Sequence, residues 1–358
     1  MSPLDALVTK VTAPDRRLAE AARARLDRLT KPPGSLGRLE ELAVRAAVIV
    51  GHPRPRVERP VIFTLAGDHG VAARGVSAYP QAVTAQMVAN LAAGGAGVNV
   101  LARHVGARVV VADFGVAADV SGQAGVVVRK IAPGTADLAS GPAMTREQAV
   151  AAIVAGAALV DATAPDCVGT GEMGIGNTTA ASALTAAFTG AEPRTVTGRG
   201  TGLDEPAWRR KVAVVAEALA VNRPDSGDPL GVLAALGGFE IAGLVGVILA
   251  GAARRVPVVL DGFIATAAGL AAVRLCPDAG SYLLASHRSP EPGHQQLLAA
   301  LGLVPYLDLD MRLGEGTGAA LAIGLLRAAL ACYAEMATFA EAGVSDRTAL
   351  DPGLEDRR

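Results

Sequence analysis

Short apolar runs alternate with longer stretches of helical period along most of this chain, and nearly every run leads into a polar, glycine-rich cluster. The runs are Pro60 to Ala66, Arg108 to Phe114, Val126 to Lys130, a brief Cys167-Val168, Val256 to Leu260 and Tyr282 to Ala285. Strands separated by helices predict an α/β fold with a mostly parallel sheet covered on both faces. The clusters that follow contain Asp68-His69, Asp113, Glu172, Asp261, His287-Arg288 and Glu315. Loops at the carboxyl ends of parallel strands open on one crevice, so these distant residues are expected to build one site.

The last cluster, Leu307-Asp-Leu-Asp-Met-Arg-Leu-Gly-Glu-Gly-Thr-Gly318, is the richest in chemistry. Asp308 and Asp310 alternate with leucines at strand period, and Gly314, Gly316 and Gly318 surround one carboxylate, so backbone can approach a ligand while Glu315 points at it. That makes Glu315 the first candidate for a catalytic base. Capping of the Ala/Leu helix that follows explains the same carboxylate without any ligand.

Composition narrows the partners. Thirty-three basic against thirty-four acidic side chains leave no long-range field toward nucleic acid or an anionic membrane, and 3% aromatics leave little for base stacking. The longest purely apolar runs, such as Ile241 to Ala253, fall short of the roughly 18 residues of a membrane span. The N-terminus lacks a basic segment leading into an apolar one. Cys167, Cys276 and Cys332 are far apart, which fits buried thiols in a reducing compartment better than a disulfide or metal site. The expectation is a cytoplasmic protein with small-molecule substrates and neither nucleic acid nor membrane as partner.

Before the first strand, Leu18, Ala22, Leu26 and Leu29 form one helical stripe, and Leu36, Leu39, Leu42 and Ala46 another, with Ser35 as its expected cap. These helices are expected to dock as a small separate part. Thr145 to Gln148 has capping-box form and opens a helix to about Val160. Pro229 to Ala253 reads as two helices broken at Gly237-Gly238, and Asp346 to Arg358 as a frayed tail.

Gly169, Gly171 and Gly174 satisfy G-x-G-x-x-G, with Glu192 where a ribose-binding acid is expected, so a dinucleotide-dependent oxidoreductase stays open. Against it, the preceding strand is short and Glu192 stands before Pro193 instead of ending a strand. Gly176-Asn177-Thr178-Thr179 suits a simpler purpose, offering N–H groups and hydroxyls to an anion at a helix start, or a purely structural turn. Arg199, in the loop Gly198 to Asp204, and Lys211 are candidate phosphate cations, although Lys211 beside Arg209 and Arg210 also fits a solvated helix face. In Ser286 to His294 a metal site from His287, His294 and Asp308 or Asp310 has no usual ligand spacing, and no G-x-S-x-G elbow supports a hydrolase. Ser289 is better placed as a hydroxyl for phosphate. Asp68-His69 reads as an acid/base pair or as a buried histidine held by its neighbours.

Taken together, these segments resemble the nicotinate-nucleotide:dimethylbenzimidazole phosphoribosyltransferases of cobalamin biosynthesis. The likeness rests on Lys31-Pro-Pro-Gly-Ser-Leu-Gly-Arg-Leu-Glu40, Gly67-Asp-His-Gly-Val71, Gly75-Val-Ser-Ala-Tyr-Pro-Gln81 and Gly171-Glu-Met-Gly-Ile-Gly-Asn-Thr-Thr179. It continues in Gly198-Arg-Gly-Thr-Gly-Leu-Asp204, Gly237 to Ala242, Asp261 to Ile264, Ser286 to Ser289 and Leu307 to Gly318. The resemblance implies a Rossmann-like domain over 59–320, a smaller helical domain made from 1–58 and 321–358, and a homodimer. It implies transfer of phosphoribose from nicotinate mononucleotide to 5,6-dimethylbenzimidazole, with no cofactor and no metal. By the same resemblance Glu315 is the general base. By it Glu172, Gly174, Lys211 and Ser289 hold ribose and phosphate, joined by Gly176 and Asn177 from the anion-cradle reading above, while Ser77, Gln86 and Leu313 belong to the base pocket. A nucleotide-binding protein without catalysis is the remaining alternative.

Overall fold

The computed structural model describes residues 1–346, so the frayed tail expected beyond Asp346 and the end of the 321–358 segment lie outside the described residues. Six strands form one sheet: β1 (Pro60–Gly67), β2 (Arg108–Gly115), β3 (Val126–Val128), β4 (Cys167–Met173), β5 (Val258–Leu260) and β6 (Leu283–Ala285). Their order is β3-β2-β1-β4-β5-β6 and every pairing is parallel, as the alternation of strands and helices predicts. The chain reverses its direction of travel across the sheet between β1 and β4. A crevice opens beyond the carboxyl ends of strands at such a switch point.

The apolar runs become strands because both faces of the sheet are covered; all eight residues of β1 are buried. Two expectations need correction. The strand at Cys167 does not stop at Val168: it runs on to Met173, paired with β1 as far as Leu65↔Glu172 and Ala66↔Met173. Gly169 and Gly171 therefore lie inside a central strand and are small for lack of space. A Cβ on Gly169 would meet Ile62 at 2.9 Å, and one on Gly171 would collide with the Glu315 carbonyl. Conversely, Leu307 to Asp310 forms no strand. Only a single bridge, Leu307 to His287, joins it to the sheet edge, and Asp310 has left-handed backbone (φ 53°) that ends any extended run.

The helices follow their patterns closely. Thr145 caps Arg146–Thr163 in a capping box with Gln148, and the break at Gly237-Gly238 separates Pro229–Leu236 from Phe239–Ala253. The latter helix is buried from Phe239 to Ala252 and packs along Arg146–Thr163. Gly156 and Gly243 face each other there, and Gly246 lies against the Ile153 carbonyl, so neither Gly156 nor Gly246 has room for a Cβ. Ser35 does not cap the second helix, which begins at Arg38 after Gly37. Instead Glu40 reaches back to the Leu36 amide (3.0 Å) and to Lys31 (2.8 Å), closing the Pro32 to Gly37 turn.

The chain divides into two compact units: Met1–Ala13 with Glu58–Ile323, and Pro14–Val57 with the chain from Gly324 onward. The first residues belong to the sheet's unit, where the Thr12 carbonyl accepts the Tyr282 hydroxyl at 2.6 Å. Among the described residues one helix, Thr317–Glu335, is long and apolar enough to cross a membrane by length and composition, and 56% of its apolar window is buried within the protein.

Candidate active site

A cavity of about 1180 Å³ opens at the carboxyl ends of the strands. Its wall takes Glu172 to Asn177 from the end of β4 and the turn after it, Gly262 to Ile264 after β5, and His287, Ser289 and Glu291 after β6. Leu309 to Glu315 complete one side, with Val83, Met87 and Gly97 from the helices after β1. Loops separated by some two hundred residues thus meet where the sheet topology directs them.

Glu315 is held by strain that its neighbours share. Gly314, Glu315 and Gly316 all have left-handed backbone (φ 81°, 64° and 103°), rare for a residue with a side chain. A Cβ on Gly316 would meet Ile62 at 2.6 Å, and one on Gly314 would strike the Glu172 carboxylate. Of the three, the middle position is the one with room for a side chain, and that side chain borders the cavity. The Glu315 carbonyl accepts the buried Thr64 hydroxyl at 2.8 Å, tying the turn to β1. Its carboxylate is 4% exposed and accepts the Val98 amide at 3.4 Å. Burial raises its pKa above the ordinary carboxylate range, the Val98 and Gly97 amides pull it back, and Asp261 pushes it up.

The capping explanation for Glu315 fails, because another residue does that work. Asp261, at the end of β5, accepts the amides of Gly316 (3.2 Å), Gly318 (2.7 Å) and Ala319 (3.1 Å), satisfying the first turn of Thr317–Glu335. The Glu315 side chain is left free to face the cavity. His287 packs beside Asp261; its ring nitrogens meet Ser286 Oγ (3.0 Å) and the Met311 carbonyl (3.2 Å), anchoring the loop that carries Leu313.

Beside the Gly314 to Gly316 turn, Glu172 contacts the Asn177 side chain and is 6% exposed. Burial, with the charges of Asp261 and Glu240, pushes its pKa up to about 8. Gly176 (φ 100°) turns the chain into the helix Asn177–Thr189, whose first residues line the wall. Behind them Lys211 is fully buried and donates to Thr178 Oγ1 at 2.8 Å. Burial lowers its pKa to about 8, against the pull of Glu291. Glu291 also accepts the Gly200 amide at 2.9 Å.

Of the candidates from sequence, Glu172, Gly174, Asn177, Ser289, Leu313 and Glu315 line this cavity, while Gly176 and Lys211 stand just behind its wall. Ser77 does not line it: the Ser77 hydroxyl lies 3.3 Å from Thr201 Oγ1, and Tyr79, two residues on, reaches the cavity. Gln86 is exposed, and its helix contributes Val83 and Met87. Arg199 is drawn away to Glu205 (2.6 Å) and stacks on Trp208. The four nitrogens of His287 and His294 all have hydrogen-bond partners and Asp308 pairs with Arg288, so the metal arrangement does not assemble. His69 is a buried partner of Glu240 outside the cavity wall. Glu291 and the capping role of Asp261 escaped sequence reasoning. Nothing local to either residue shows which distant amides it will meet.

A family model described as phosphoribosyltransferase matches residues 11–344. The chain belongs to this phosphoribosyltransferase family. Similar curated proteins are the nicotinate-nucleotide–dimethylbenzimidazole phosphoribosyltransferases of Desulforudis audaxviator, 54% identical over 96% of this chain and 99% of that protein, and of a Roseiflexus species, 55% identical over 97% and 99%. The crystal structure of the enzyme of that name from Thermus thermophilus superposes with a TM-score of 0.88 at 48% identity, covering 93% of this chain and 99% of that one. As a phosphoribosyltransferase this chain keeps the α/β architecture expected from its strand pattern, and the dinucleotide alternative gives way: Gly169 and Gly171 are strand positions and Glu192 stands immediately before a four-residue helix.

Proposed function

We propose that this phosphoribosyltransferase moves phosphoribose from nicotinate mononucleotide to 5,6-dimethylbenzimidazole, giving α-ribazole 5′-phosphate and nicotinate in assembly of the cobalamin nucleotide loop. One observation carries the reading: a desolvated carboxylate, Glu315, and the glycine-rich turn Gly174 to Asn177, backed by a buried lysine, border the same cavity. The names of the full-length relatives support it.

Nicotinate in the nucleotide is a cationic pyridinium, so it departs as a neutral ring once the C1–N bond electrons return to nitrogen. No acid is needed for departure. What the reaction lacks is a strong nucleophile. Glu315 accepts the benzimidazole N–H proton, and the opposite ring nitrogen attacks C1 with inversion. Such positioned proton transfer contributes about 10²–10⁴-fold. Desolvation makes Glu315 a stronger base than a free glutamate, which is the direction this role requires. The turn Gly174 to Asn177, with Ser289 and Lys211, holds ribose and phosphate, and Leu313 with Val83 and Met87 gives an apolar slot for the incoming ring. Ser77 and Gln86, expected in that slot, stand outside its lining. Holding both rings across the sugar supplies the remaining acceleration through orientation.

The test is incubation of the purified protein with nicotinate mononucleotide and a panel of benzimidazoles, purines and phenols, followed by mass detection of the riboside phosphate. Release of nicotinate with the matching riboside is expected. Tight NAD binding with no nicotinate release would overturn the assignment. The same reading includes a cytoplasmic homodimer, which light scattering on the purified chain tests for its oligomeric part.

A further inference from the structure

The Gly174 to Asn177 turn, assigned above to ribose and phosphate, lies beside a residue pair the reaction does not use. His69 follows β1, and its Nε2 lies 2.6 Å from Glu240 Oε1, with neither side chain exposed. Glycines enclose them. A Cβ on Gly67 or Gly238 would meet the Glu240 carboxylate at 2.7 or 2.6 Å. One on Gly174 would lie 3.4 Å from His69 Cδ2, and one on Gly176 3.3 Å from His69 Cβ. Gly174 and Gly176 belong to the turn that opens the helix Asn177–Thr189, so that turn runs close beside His69, near enough that a single added methyl on either glycine would touch the His69 side chain.

Burial alone would lower the His69 pKa, but the Glu240 carboxylate, aided by Asp68, outweighs it and the ring stays above its ordinary value. An ion pair this deep stabilises a fold no better than packed hydrocarbon of the same volume. Stability therefore gives no reason for it. A short, charge-assisted bond does what hydrocarbon cannot: it fixes the ring's rotation, and with it the surface on which the turn sits.

We infer that His69, locked by Glu240, is a positioning residue for the nucleotide's phosphate, acting as the floor that sets the Gly174 to Asn177 turn in place. This rests on the phosphoribosyl-transfer reading. The test compares wild type, Glu240→Gln, which keeps volume and a hydrogen bond but removes the charge, and His69→Gln. In the assay with nicotinate mononucleotide and dimethylbenzimidazole, both variants are expected to raise the nucleotide KM about tenfold or more, as a displaced binding group does. The base KM and kcat should stay near wild type. Amide hydrogen exchange across 174–178 should accelerate in the same variants. An unchanged nucleotide KM, or an equal rise for both substrates, would overturn the inference. Unchanged exchange at 174–178 overturns it too, and does so whatever the enzyme turns over. Absence of nicotinate release by wild type instead strikes the functional reading.

Discussion

Glu172 gives the protein a stability that depends on pH in a calculable way. Its folded carboxyl is pushed up to about 8 by burial and by neighbouring Asp261, Glu240 and Glu315, whereas the unfolded chain carries an ordinary glutamate near 4.5. Between those values the native state holds a proton that the unfolded state has released, so stability falls as pH rises. The slope is about 1.4 kcal/mol per pH unit, which over this interval comes to about 5 kcal/mol. With 6% exposure there is little solvent screening to discount. Glu172→Gln keeps the contact with Asn177 and removes the titration. Urea unfolding of both proteins without ligand, at intervals from pH 4 to 9, should show the variant gaining steadily on wild type through this range. The difference should level off at both ends. A difference that is flat from pH 4 to 9 would refute the argument that this carboxyl is protonated in the empty site.

Further expectations follow from single contacts. Gly246→Ala puts a methyl against the Ile153 carbonyl and should cost about 1–3 kcal/mol, read as a lowered Tm with the site untouched. Lys211 loses its charge as pH rises through about 8, so the nucleotide KM of wild type should climb in that direction. Lys211→Met should start with a high nucleotide KM and show no such climb. Tyr333→Phe removes the hydroxyl bond to the Pro53 carbonyl (2.8 Å) and should cost about 1 kcal/mol in urea unfolding.

Much of this architecture is legible in the sequence because parallel strands must be apolar and must be joined by helices. The positions of β1 and β2, the Thr145 capping box and the Gly237-Gly238 break all follow from local pattern. Local pattern misleads where long-range packing decides. Gly169 and Gly171 look like a phosphate turn, yet they are strand residues kept small by Ile62 and the Glu315 carbonyl. Leu307 to Asp310 has strand period but finds only one partner at the edge, His287. Glu315 announces itself through its glycines, whereas the residue that frees it from capping, Asp261, lies fifty-five positions away from Gly316 and shows no local sign of that task. Periodicity therefore places the scaffold and the loops, while the hydrogen bonds between loops become visible only in three dimensions.

The central claim is that the Glu315 carboxylate removes the proton of the incoming base. Glu315→Gln preserves size and the Val98 contact but cannot accept a proton. Single-turnover nicotinate release should fall by about 10²–10⁴-fold, with the affinity for nicotinate mononucleotide unchanged. A variant that releases nicotinate within a few-fold of the wild-type rate would contradict the account.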